Sequence, residues 1–291
     1  MISLKQVSFS YEDVPVIKEL SYVEQNPVIT GLWGRNGVGK TTLMKLIAGH
    51  QIPSQGNIEV MGHRPYNNQE AQRHLCYMQE DHPFSDIWTI RDALRFYQYF
   101  KPNWNQELAE ELLETFKLPQ HKKAKKLSTG MKTALQVVIG LASQADVTIL
   151  DEPTNGLDAG MRKKFYERLL DSYDAFPRLI MVSTHQIEEL QPLLESIVVV
   201  HDGKLLLHEP MEEVRERGIW ITGEHERVNQ LIGNQKILNE STIGSVKKVM
   251  IDVPFSDEWR ELGRSNGISV EKAHLQDYLL HMTDNVKEGV R

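Results

Sequence analysis

The segment Gly34-Arg35-Asn36-Gly37-Val38-Gly39-Lys40-Thr41-Thr42 gathers glycines, a lysine and two threonines in one short loop. Glycines let successive backbone N–H groups converge on an anion, and the start of a following helix adds partial positive charge there. This is phosphate chemistry: Lys40 is placed to reach the β- and γ-phosphates of a nucleoside triphosphate, and the Thr41 hydroxyl to ligate Mg²⁺. An apolar run, Val28 to Leu32, precedes the loop and the helix-like Leu43-Met44-Lys45-Leu46-Ile47-Ala48 follows it. The order strand, loop, helix is the one the phosphate-loop motif requires.

Three further segments set polar residues at the ends of apolar runs. Val147-Thr148-Ile149-Leu150-Asp151-Glu152-Pro153 reads as a buried strand ending in adjacent carboxylates, where open α/β sheets present ligand-binding groups. Neighbouring side chains on a strand end point to opposite sides, so the two acids can hold separate jobs. Asp151 would hold Mg²⁺ through a water and Glu152 would polarise the water that attacks the γ-phosphate. A surface Asp-Glu pair at a loop start is the plainer reading. Met181-Val182-Ser183-Thr184-His185 is a short strand ending in a histidine that, by itself, is as consistent with a structural or exposed ring as with catalysis. Leu127-Ser128-Thr129-Gly130-Met131-Lys132 precedes the apolar helical stretch Ala134 to Ala142, and an N-cap role would alone explain Ser128.

The elements needed to hold these residues are legible as patterns. Ile2 to Tyr11 and Asn57 to Val60 alternate as strands, and Ile197 to His201, Asp202-Gly203 and Lys204 to His208 read as a hairpin. Thr89 to Phe100 and Gln106 to Phe116 have helical periodicity. At 291 residues and 40% hydrophobic content the chain can bury one large core and a smaller unit. Its single cysteine, Cys76, excludes an internal disulfide framework. The net charge of −7 gives no global basic footprint for nucleic acid, so no nucleic-acid partner is expected. The first residues, Met1-Ile2-Ser3-Leu4-Lys5-Gln6, lack the apolar core of a signal peptide, and no run approaches the ~20 apolar residues that span a bilayer.

In this order along the chain the motifs resemble the nucleotide-binding domain of ABC transporters, from about Ile2 to Glu209. The resemblance implies an α/β fold: an ABC-type P-loop ATPase core with an antiparallel β subdomain and a helical subdomain. It makes Gly34 to Thr42 the Walker A loop, with Gly34, Asn36, Gly37, Gly39, Lys40, Thr41 and Thr42 on ATP, and Tyr11 the aromatic that stacks on adenine. Asp151 becomes the Walker B acid and Glu152 the catalytic carboxylate. His185 becomes the switch histidine, and Gln79, in Tyr77-Met78-Gln79-Glu80, the Q-loop glutamine at the metal and the reaction centre. Leu127 to Met131 becomes the signature, with Ser128 and Gly130 on the γ-phosphate, and Asp158 in Gly156-Leu157-Asp158-Ala159 the D-loop acid. Taken singly, Tyr11 could be an ordinary strand aromatic and Gln79 a surface amide. The signature departs from the usual Leu-Ser-Gly-Gly-Gln: Thr129 replaces a glycine and Met131 the glutamine.

The same resemblance implies ATP with Mg²⁺, and a head-to-tail homodimer or heterodimer with a second nucleotide-binding domain, because the chain has one Walker A and one signature. A separate integral-membrane permease would hold the chain at the cytoplasmic face of the cell membrane. Residues 1–217 would form the nucleotide-binding domain, with its helical subdomain at about 80–132, and residues 218–291 a small C-terminal α+β accessory or regulatory domain of the kind common among ABC-2 exporters. In that last stretch Gly218 to Thr222, Lys236 to Ser241, Val246 to Val253 and Ile268 to Glu271 read as strands, and His225 to Ile232, Asp257 to Ser265 and Leu275 to Met282 as helices. Phe84, Ile87 and Trp88 are the candidates for docking the permease. The run Lys122-Lys123-Ala124-Lys125-Lys126 is a solvated face or a lipid headgroup contact. The function expected is ATP hydrolysis that powers export of a peptide, toxin or antibiotic, as in similar Gram-positive and acetoin-utilisation ATPases. The alternative is a soluble ABC ATPase acting on ribosomes or DNA.

Overall fold

Each central strand of the structure is mostly apolar and buried along its whole length, the pattern of a sheet covered on both faces. The computed structural model describes residues 1–285. They fold as two compact units, Met1–His185 with Leu190–His208, and Gln186–Glu189 with the residues from Glu209 onward.

In the first unit a six-stranded sheet runs in the order Leu75–Met78, Val147–Asp151, Leu179–Ser183, Val28–Trp33, Ser196–His201 and Lys204–Pro210. Its first five strands are mutually parallel, and all five are buried throughout. The last two are joined by Asp202-Gly203, both at positive φ, as a tight hairpin of type I′ requires. Register pairs Asp151 with Ser183, so the strand end that carries the candidate acids lies beside the one that leads to His185.

A second, antiparallel sheet has Ile2–Tyr11 between Val14–Glu24 and Gln55–Val60. Ile2, Leu4, Val7 and Phe9 turn inward, and they share one core with Leu43, Met44, Leu46 and Ile47 of the phosphate-loop helix Lys40–Ile47 and with the central sheet. The change of inward parity between Leu4 and Val7 occurs where Gln6 takes φ +48° and the register slips, a bulge in the strand. The helical segment contains Ile90–Phe100, whose Thr89 and Asp92 form a reciprocal capping box, Gln106–Thr115 and Thr129–Ala142. Sequence periodicity did not announce the strand Val14–Glu24, the short helix Gln69–His74 or the largely exposed helix Ala159–Ala175.

The second unit is ordered strand Arg217–Glu224, helix His225–Ile232, hairpin Ile237–Ile243 and Val246–Pro254, helix Asp257–Ser265, strand Ser269–Lys272 and helix Leu275–Asn285. Its sheet places the first and third of these strands centrally and pairs every neighbour antiparallel, which is the split βαβ, ferredoxin-like arrangement. One face of the sheet packs Ile219, Ile221, Val249 and Ile251 against Val228, Ile232 and Ile268. On the other, Trp220 lies edge-on to His281 at 5.7 Å and under the Lys248 ammonium at 4.3 Å. The unit begins at Glu209 and includes Gln186–Glu189, beside the expected domain 218–291.

Candidate functional site

The loop between the strand Val28–Trp33 and the helix Lys40–Ile47 turns through φ +80° at Gly37 and +106° at Gly39, which side chain-bearing residues resist. At Gly39 a Cβ would also stand 2.9 Å from Ile17 Cδ1. The helices beginning at Gln69, Ile90, Gln106, Thr129 and Ala159 each have their first amides capped by a side chain, from Asn68, Thr89, Asn105, Ser128 and Asp158. The phosphate-loop helix has no such cap. Its first residues line a cleft instead, which leaves amide donors and the positive end of the helix dipole for an anion.

The cleft encloses about 490 Å³ and is lined by Tyr11, Val16, Asn36, Gly37, Gly39, Lys40, Thr41, Thr42, Glu80, Asp151, Glu152 and His185. This is a volume in the range of small-molecule sites. Lys40 Nζ donates to the carbonyls of Gly34 at 2.6 Å and Arg35 at 3.3 Å. Burial pushes its ammonium pKa down, opposed by the carboxylates of Glu152, Asp151 and Glu80. Gly34 itself lies beneath the loop, where a Cβ would stand 2.5 Å from the Val200 carbonyl oxygen.

Ser183 joins the two acids. Its Oγ donates to Asp151 Oδ1 at 2.7 Å and accepts from the Glu152 N–H at 2.9 Å, while Asp151 Oδ2 accepts from Thr41 Oγ1 at 3.1 Å. Asp151 is thereby held by both neighbouring elements. Glu152 leaves the strand at φ +49°, a costly backbone state for a non-glycine residue that turns its carboxyl into the cleft. Burial raises the Glu152 pKa; His185, whose Nδ1 stands 2.8 Å from Glu152 Oε2, and Lys40 draw it down, and Asp151 raises it. The Glu152 side chain is 12% exposed and the His185 ring 55%, so the histidine covers the acid from the solvent side.

A hydroxyl and a carboxylate oxygen 3.1 Å apart are hard donors that suit Mg²⁺, with phosphate oxygens and waters completing the shell. Among the described residues no group of three or more His, Cys, Asp or Glu side chains is placed to hold a metal ion by itself. The donor set therefore fits a cation that arrives with phosphate.

Of the residues named from sequence, Tyr11, Asn36, Gly37, Gly39, Lys40, Thr41, Thr42, Asp151, Glu152 and His185 come together around this cleft. Tyr11 is 43% exposed and packs edge-to-face on Phe9 at 4.9 Å. Gly34, Gln79, Ser128, Gly130 and Asp158 are not among the lining residues. Gln79 Nε2 donates to the Asp81 carbonyl at 3.2 Å. Ser128 Oγ accepts from the Met131 N–H at 3.3 Å, and Asp158 Oδ1 from the Met161 N–H at 2.9 Å, so each caps its own helix. Gly130 is pressed against the Gly156 carbonyl oxygen, from which a Cβ would be only 2.4 Å away. The Thr129 methyl faces Gly156, which gives the unusual signature threonine a packing role.

Sequence reasoning missed Val16, Glu80 and Ser183. Ser183 had a signal, since it closes an apolar strand much as Asp151 does. Glu80 had its adjacency to Gln79. Val16 had none, because only the strand pairing brings it under the loop.

The family profile described as "ABC transporter" matches residues 17–155. The ABC transporter ATP-binding protein YtrB of Bacillus subtilis (strain 168) is 30% identical, over 89% of this chain and 88% of that protein. The Nod factor export ATP-binding protein I of Burkholderia thailandensis is 34% identical over 70% of this chain and 68% of its own length. The bacitracin transport ATP-binding protein BcrA of Bacillus licheniformis is 33% identical over 65% and 63%. Among solved structures, an ATP-binding subunit of an ABC transporter superimposes with a TM-score of 0.67 at 25% identity, covering 74% of this chain and 92% of that one. The ATP-binding cassette MJ0796, solved as a dimer in a post-hydrolysis state with ADP and Pi, shares the fold with a TM-score of 0.63 at 18% identity, over 72% and 99%.

Proposed function

This chain belongs to the ABC transporter ATP-binding proteins, and from that premise we propose how its residues use ATP and where it works. The chain is an ATP-binding and hydrolysing subunit that powers an ABC transporter. The observation that carries the residue roles is the convergence of Lys40, Thr41, Asp151, Glu152 and His185 on one cleft at an uncapped helix start.

In this reading the loop amides and Lys40 bind the β- and γ-phosphates, and Tyr11 stacks on the adenine at the cleft mouth. Thr41 and Asp151 hold Mg²⁺, which when bound neutralises phosphate charge. Glu152 accepts the hydrogen bond of the attacking water and draws its proton, and its raised pKa supports a base that can take one. His185 orients that carboxyl through Nδ1. Gln79 would add its amide oxygen to the metal and the attacking water; in this structure the amide nitrogen donates to the Asp81 carbonyl.

Ser128, Gly130 and Asp158 act on the ATP of a second nucleotide-binding domain, identical or related, because they do not line this chain's own cleft. A separate permease supplies the pore, and no described helix is long and apolar enough to cross a membrane. Of the docking candidates Phe84, Ile87 and Trp88, Ile87 is exposed and the other two are half-buried. Ile87 and Trp88 share a groove with Phe96, Tyr99 and Phe100, which supports docking on the helical segment, and a permease docked there would hold the chain at the cytoplasmic face of the membrane. The relatives named for Nod factor export and bacitracin transport support an exporter of a peptide, toxin or antibiotic.

The test is Glu152→Gln with ATP. The variant is expected to bind ATP, hydrolyse almost none, elute earlier on gel filtration as a closed pair, and co-purify with a polytopic membrane protein from native membranes. Normal turnover would remove Glu152 as the base, and ribosomal or DNA-repair proteins as the companions would remove the transporter.

A further inference from the structure

The loop after Gln79 and the loop after Pro153 meet on one face of the helix Thr129–Ala142. Thr129, Thr133 and Gln136 stand at i, i+4 and i+7 and share that face. Each holds one of the two loops. An added Cβ at Gly156 would lie 3.1 Å from Thr129 Cγ2, Thr133 Oγ1 donates to the Asn155 carbonyl at 2.8 Å, and Gln136 Nε2 donates to the Glu80 carbonyl at 3.0 Å. The loops are also joined to one another by a hydrogen bond from Asn155 Nδ2 to Glu80 Oε1. Glu80 lines the phosphate cleft as well, close enough to Lys40 for its charge to act on the ammonium. A single carboxylate thus has the nucleotide cleft on one side and, through Asn155, the signature helix on the other.

We propose that Glu80 is a positioning residue for ATP hydrolysis, tying the occupancy of the cleft through Asn155 to the placement of Ser128, Gly130 and Asp158. A γ-phosphate beside Lys40 repels the Glu80 carboxylate and occupies the ammonium that attracts it, so arrival and loss of that phosphate bias the contact with Asn155. The hydrogen bonds of Thr133 and Gln136 then carry the displacement to the first two turns of the signature helix. The purpose of the movement rests on the reading that this segment serves a second copy.

The test is a double-mutant cycle on the full chain: Glu80→Ala, Asn155→Ala and the pair, with ATP binding read by calorimetry and kcat and KM by phosphate release. Contacting residues that act together show non-additive losses. Each single change is expected to lower kcat about tenfold or more, and the pair by no more than the worse single within about twofold. ATP binding should hold or tighten in Glu80→Ala, because a negative charge beside the phosphates is gone. Glu80→Gln, whose amide oxygen still accepts from Asn155 but which has lost the charge that the γ-phosphate acts on, should stay within about twofold of Glu80→Ala in kcat, and recovery to native turnover would overturn the proposal. Unchanged kcat in Glu80→Ala, losses that multiply in the pair, or a loss confined to ATP binding would each overturn the proposal. Pairing of Glu152→Gln with ATP reports separately on the second copy: its absence would sink that reading, while the cycle on turnover still decides whether Glu80 and Asn155 act as a unit.

Discussion

The phosphate loop and the signature segment are both helix N-termini, and they are finished in opposite ways. The phosphate-loop helix leaves its first amides without a side-chain cap and opens into a cleft with buried Lys40 and Asp151 beside it. The signature helix satisfies its own start with Ser128 and packs Gly130 and Thr129 onto Gly156. One is a concave site waiting for charge; the other is a surface already complete within the chain. A helix start binds an anion only when its amides are left unpaired and something around it desolvates the ligand. Here the first has both, and the second, with its start capped by Ser128 and outside the cleft, has neither within the chain.

The largest expected break in this comparison is at Glu152. Glu152→Gln should leave ATP affinity within a few-fold of the native value, yet lower kcat by about 10²–10⁴ in phosphate-release assays, the range for removing a general base. The native enzyme's pH profile sharpens the same point. Burial lifts the Glu152 carboxyl above its ordinary value of 4.5, and the base works only when ionised. Turnover should therefore be full at high pH and fall as pH drops through the raised pKa, at a higher pH than an ordinary glutamate would give. An acid limb at or below the ordinary value would detach the limb from this residue.

Next in size is Lys40→Ala, which removes the buried cation from the concave side. Losing charge-assisted hydrogen bonds of about 1.5–3 kcal/mol should weaken ATP binding by roughly 10- to 100-fold, measured by calorimetry on the single chain. Unaltered affinity would contradict the phosphate-loop assignment. Ser183→Ala is expected to be milder in binding and stronger in turnover, because it frees both acids at once: about tenfold in kcat, with the Asp151 and Glu152 positions blurred.

Smallest, and most diagnostic of the signature segment, is Ser128→Ala. Loss of an N-cap should cost about 1 kcal/mol of stability in thermal or denaturant unfolding. ATP affinity of the single chain should stay unchanged, while turnover falls more than that stability loss explains. Equal ATP affinity and equal turnover would confine Ser128 to its helix.

Much of this was readable before any fold was known. The strand Val28–Trp33, the phosphate loop and the acids ending Val147–Asp151 were announced by apolar runs that stop abruptly at polar residues. The helices His225–Ile232 and Asp257–Ser265 of the second unit fell where periodicity put them. What was not readable has common causes. Ala159–Ala175 buries Phe165, Leu169 and Ser172 and is otherwise largely exposed, so its hydrophobic stripe is too thin to stand out. Arg178 is 1% exposed and satisfied by the carbonyls of Ser172 and Phe176, a burial that no rule about charged residues foresees.

The sequence by itself determined the chemistry, because phosphate binding needs glycines at positive φ, a lysine and a hydroxyl at fixed spacing, and those requirements are local. Tertiary structure alone decided which residues share the cleft. Asp151 meets Thr41 and Ser183 meets Asp151 only because parallel strand register aligns segments 110 and 32 residues apart. It also decided that Glu80 faces the cleft and Gln79 does not, and that Gly156 receives the side chain of Thr129. Contacts between distant segments depend on register and packing, which are properties of the whole core and are written in no single stretch of the chain.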